Sequence, residues 1–101
     1  MEAQQRVAEF VADREMDAPP AFRLLDLAAE VGELAADANE SSGYGASPDD
    51  VAVDSDEIGD ALFALLAFAD SLDVDAGAAL DEALAKYEAR LDERGEASSE
   101  N

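Results

Sequence analysis

Two short stretches of the 101-residue sequence share one pattern, Glu30-Val31-Gly32-Glu33 and Glu57-Ile58-Gly59-Asp60. Each sets a carboxylate, a β-branched apolar residue, a glycine and a second carboxylate in a row. In a helix, residues three apart share one side, so each stretch holds two like charges close together. Such pairs repel. A glycine inside a helix is worse than alanine by about 1 kcal/mol. The sequence therefore twice combines repelling charges with a residue that weakens the helix. One arrangement accounts for both features. Glycine lacks a side chain and lets two helices approach. With Gly32 and Gly59 near a crossing, Glu30, Glu33, Glu57 and Asp60 converge. Four carboxylates in one place need cations between them. Donors that are all oxygen select a hard divalent ion, magnesium or manganese before calcium. Magnesium also keeps coordination positions for water and phosphate oxygens.

Each pair has a plainer reading beside this one. Asp26, Glu30, Glu33 and Asp37 form a stripe opposite the apolar one, which fits a solvated acidic face. Glu57 and Asp60 run directly into an apolar segment beginning at Ala61. They stand at the mouth of a segment that calls for burial, so solvation accounts for them less well.

The elements that must carry these residues are helical. Ala is abundant, and Ile, Val and Thr are too sparse for a sandwich or barrel. A first helix is predicted from about Ala3 to Met16, with Val7, Phe10 and Val11 at helical spacing. Pro19-Pro20 ends it and opens the next. The second helix runs from about Ala21 to Asn39, with Leu24, Leu27, Ala28, Val31, Leu34 and Ala35 as its apolar stripe. Residues 40–50, rich in Ser, Gly and Asp, read as a loop. A third helix begins between Asp50 and Asp54 and ends near Leu72. Its centre, residues 61–69, carries no polar side chain. A helix apolar all round is buried on every side, which in a chain this short calls for a second subunit. Phe63 and Phe68 are expected in its core. Asp75 can cap a fourth helix that Gly95 stops near Arg94. The whole is an all-α antiparallel bundle of about four helices over residues 1–94, completed by homo-oligomerisation, with a disordered acidic tail at 95–101.

Composition narrows the partners. The chain has 26 acidic and six basic residues, a net charge of -20, no His and no Cys. Basic-patch binding to nucleic acid or to an anionic membrane is excluded on this balance. So are disulfides and thiolate metal sites. The first residues lack the layout of a signal peptide, and no apolar run is long enough to span a bilayer, so a cytoplasmic location is expected. A surface this acidic repels itself until salt screens it, which points to adaptation to a very salty cytoplasm. Any polyanionic ligand would need a cation between itself and the chain.

The two motifs also resemble those of the MazG-like nucleotide pyrophosphohydrolases, in the all-α NTP pyrophosphatase superfamily. That family carries E-E-x-x-E, a spacer, and E-x-x-D. The chain matches with Glu30 to Leu34 and Glu57 to Ala61, separated by 23 residues between Glu33 and Glu57. The match continues through residues 62–66 and covers about residues 4 to 92. Lys86-Tyr87-Glu88-Ala89-Arg90 resembles the family's K-x-x-x-R element. One departure is clear, since Ala29 stands where the family has the first Glu of its pair. The general base is therefore left unassigned.

The resemblance implies magnesium-dependent cleavage of a nucleoside triphosphate to the monophosphate and pyrophosphate. Glu30, Glu33, Glu57 and Asp60 would be the catalytic metal ligands, with magnesium or manganese as cofactor. Lys86 and Arg90 would contact phosphates, and the assembly would be a homodimer or homotetramer. A house-cleaning role is the usual inference for the family. Beside it, Lys86 and Arg90 can simply pair with neighbouring acids such as Glu82. Tyr44, between Gly43 and Gly45, can stack on a base or stand as an exposed loop aromatic. Two other functions stay open. One is a non-catalytic acidic helical interaction module. The other is a phosphoribosyl-ATP pyrophosphatase.

Overall fold

A computed structural model describes residues 1–94, and the tail expected to be disordered lies outside them. Those residues form helices and turns with no strand. Helix α1 spans Glu2–Asp13. It stops three residues before the predicted end at Met16. Glu15 adopts a left-handed φ of 53°, and the amides of Arg14, Glu15 and Met16 turn back onto the carbonyls of Phe10, Ala12 and Val11. The turn thus ends the helix before the prolines are reached. Pro20 then opens α2, Pro20–Ser41, at a position where no amide donor is needed.

Two serines finish α2. Ser41 Oγ donates to the Asp37 carbonyl at 2.7 Å, and Ser42 Oγ donates to Ala38 at 2.6 Å. Gly43, Tyr44 and Gly45 follow, all with left-handed φ, and a short 3-10 turn occupies Pro48–Asp50. Helix α3 spans Ser55–Ser71 and α4 spans Ala76–Arg94. Asp75 Oδ1 accepts from the Ala78 amide at 3.1 Å, so the predicted cap of α4 forms. No described helix is long and apolar enough to cross a membrane.

Helix α3 is the centre of the packing. It meets α2 most extensively, α1 next and α4 least. The face that α2 turns inward is not the one its apolar stripe predicts. Arg23 is buried, and Leu27, Glu30, Leu34, Asp37, Ala38 and Ser41 are half-buried, at the three-to-four spacing of one helical face. Leu24, Ala28, Val31 and Ala35 face outward instead. The expected stripe is thus split, and a face carrying charge packs on α3.

Burial of α3 on every side, expected to need a second subunit, is incomplete in the single chain. Ala64, Leu66, Ala67 and Ala69 are buried, but Leu62 and Leu65 are 49% and 46% exposed. Phe63 and Phe68 are half-buried rather than core. The single chain supplies neighbours to only part of the helix circumference. The proposed glycine crossing is not formed within the protomer either. A Cβ added at Gly32 or Gly59 would meet no atom within 4 Å.

Candidate functional site

Helices α2 and α3 border an open cavity of about 340 Å³. Arg23, Asp26, Ala29 and Glu30 line it from α2, and Asp60, Phe63 and Ala64 line it from α3. One carboxylate of each motif therefore opens on the same space. Of the three α2 residues that join Glu30, Asp26 and Arg23 lie on its helical face, at i−4 and i−7.

Glu30 is the electrostatic centre of the cluster. Its carboxyl holds its proton more tightly than a free glutamate, above the ordinary value of 4.5. The first cause is a hydrogen bond shared with Glu33, followed by burial and by the charges of Glu33, Asp60 and Asp26. Glu33 is exposed, yet close enough to share that bond. Crowding of this kind favours any cation that enters, because a cation lowers the repulsion that the proton otherwise relieves.

Glu57 stands differently. It is half-buried, and its Oε2 is shielded from solvent without a hydrogen-bond partner. It does not line the Glu30 cavity. Among the described residues, no three acidic side chains already converge on one point that could hold a metal. The donor set is nonetheless that of a hard divalent ion, with oxygen atoms alone and one buried oxygen left unsatisfied. Exposed Glu33 and Asp60 have the rotamer freedom to close on such an ion.

The basic residues of α4 are not brought to this cavity. Lys86 is exposed and borders a recess on α4 itself, with its ammonium 6.0 Å from the Tyr87 ring. It forms no ion pair with Glu82; among the described residues the one ion pair joins the Met1 amine to Asp75 at 3.8 Å. Arg90 is half-buried, 5.8 Å from the Tyr87 ring, with Nη1 shielded and unpartnered. Tyr44 is 84% exposed on its loop.

Sequence reasoning missed Arg23 and set Asp26 aside as solvated. Their spacing from Glu30 was the available signal, but it weighs only once the inward face of α2 is known. Compared with known proteins, the chain matches no family model, no curated protein and no solved structure.

Proposed function

We propose that the chain is a magnesium-dependent pyrophosphohydrolase that cleaves an NTP or dNTP to the monophosphate and pyrophosphate. The observation that supports this reading is the shared cavity of Glu30 and Asp60, the first carboxylate of one motif and the last of the other. Glu30, Glu33 and Asp60, with Asp26 beside them, are the residues that would hold magnesium or manganese. Glu57 offers its unsatisfied oxygen to the same role. A magnesium ion held there would polarise phosphate oxygens and make a bound water easier to deprotonate.

The chain's own residues have further parts. Phe63 and Ala64 give the cavity one apolar side. Lys86 and Arg90 do not line the cavity in one protomer. Helix α4 of a second copy is the route by which they would meet substrate phosphates in a homodimer or homotetramer.

The exposed apolar side chains of α2 and α3 favour a second reading, a non-catalytic helical interaction module. Product release separates the two. Full-length protein in high salt with magnesium or manganese is expected to release pyrophosphate from at least one NTP or dNTP. Glu33→Gln and Asp60→Asn should each lower that rate by about 100-fold or more, since even outer-shell partners of metal ligands carry 10–100-fold effects. Circular dichroism should show the fold unchanged. No pyrophosphate from any of the nucleotides would leave the module reading. Turnover of phosphoribosyl-ATP alone would assign the chain to that pyrophosphatase instead.

A further inference from the structure

Arg23 is 6% exposed, the most deeply buried charge among the described residues. Its Nη2 donates to the Met16 carbonyl at the turn between α1 and α2. No carboxylate among the described residues lies within ion-pair distance of it, in a chain with 26 acidic residues. A guanidinium carries five N–H donors in a rigid fork and stays charged at any ordinary pH. A single carbonyl leaves most of that fork unused. Its remaining N–H groups still reach solvent, so an anionic group entering the neighbouring space can accept from them.

The position of Arg23 supplies a place for that partner. It lines the cavity of Asp26, Glu30 and Asp60. It also lines a neighbouring cavity of about 270 Å³ with Val11, Asp17, Asp70 and Ser71. Arg23 and Glu30 share one helical face and stand about 10 Å apart along the axis. The cavity thus holds the Glu30 and Asp60 carboxylates, suited to a divalent ion, and, beyond Asp26, a fixed cation. A phosphate chain with a bound divalent ion has the matching order of charges.

We propose that Arg23 is a substrate-binding residue of this cavity, donating its free N–H groups to a non-bridging oxygen of a phosphate group. The proposal deepens the pyrophosphohydrolase reading and rests on it for the substrate class. The Met16 carbonyl takes one N–H of the fork, and the others are left for a ligand. Arg binds phosphate in two parallel hydrogen bonds where Lys offers a point charge, so even the conservative variant is affected.

Two measurements on the full-length chain test it. The first is steady-state kinetics of Arg23→Lys and Arg23→Gln on an NTP that the wild type turns over, with melting temperatures alongside. KM should rise about 10- to 100-fold, as expected for loss of a charge-assisted hydrogen bond, with kcat changed less. A folded variant with unchanged KM overturns the proposal and leaves Arg23 a clamp on the α1–α2 turn. The second needs no turnover and no variant that folds. The Arg23 guanidinium resonance of the wild type is followed by NMR as inorganic pyrophosphate is added with magnesium. A saturable shift at Arg23 is expected, and no shift at saturating pyrophosphate overturns the proposal. Failure of the wild type to cleave any NTP, with the Arg23 resonance still responding, would defeat the enzymatic reading and spare the phosphate site.

Discussion

Glu30 competes for charge with three neighbouring acids, and this makes its ionisation unfavourable to the fold. Its folded pKa lies above the unfolded value, because Glu33 hydrogen-bonds the carboxyl and Glu33, Asp60 and Asp26 repel its charge. The sign of the linkage follows. The stability Glu30 contributes is fully present below about 4.5 and is lost as pH rises through the raised folded value. At neutral pH the cluster is therefore a source of strain that a divalent cation relieves. Melting temperatures of wild type and Glu30→Gln, at one fixed salt concentration, should diverge as pH rises from about 4 to about 8. The wild type should lose more, and added magnesium should recover that loss in the wild type more than in the variant. Parallel curves with and without magnesium would remove Glu30 from the centre of the site.

The helices place these residues through contacts that lie far apart in the chain. Gln4 is buried on α1 and joins two other elements. Its Nε2 donates to the Val74 carbonyl at 2.7 Å, and its Oε1 accepts from the Ala76 amide at 2.7 Å. This fixes α1 to the corner between α3 and α4. Gln4→Leu keeps the volume but leaves a carbonyl and an amide unpaired, which should cost about 2 kcal/mol. For a chain of this size the melting temperature should fall by about 10 °C, and a shift near zero would mean that water replaces the side chain. No sequence pattern marks Gln4, since its partners lie 70 and 72 residues away. The Asp75 cap was legible because a cap needs only its own local segment. Helix α2 shows the boundary between the two cases. Its 3.6-residue period and approximate ends follow from spacing and Pro20, yet spacing alone does not say which face turns inward. The apolar stripe suggested one answer. The structure splits that stripe, with Arg23 buried, Glu30, Leu27 and Leu34 half-buried and Val31 exposed. The site became visible only with that split.

At the scale of the whole molecule, one protomer is an open object. Its radius of gyration is 16.5 Å, against about 13 Å for a compact chain of this length. Helix α4 meets little besides α3, and Leu80, Leu84 and Leu91 on it are exposed. Phe22, Leu25 and Ile58 are more than half exposed. Apolar surface on this scale favours association. The charge opposes it, because each copy carries a net charge of -20. Repulsion between copies is screened by salt while apolar burial is not weakened by it, so association and stability should rise together with ionic strength. Light scattering in dilute and in multimolar potassium chloride should show a mass near 10.6 kDa at low salt and two or four times that at high salt. Melting temperature should climb across the same series. Leu65→Glu places a charge on the exposed side of α3 and should hold the chain near the protomer mass in high salt. A wild type that stays monomeric at every salt concentration would leave α4, with Lys86 and Arg90, without a route to the carboxylate cavity.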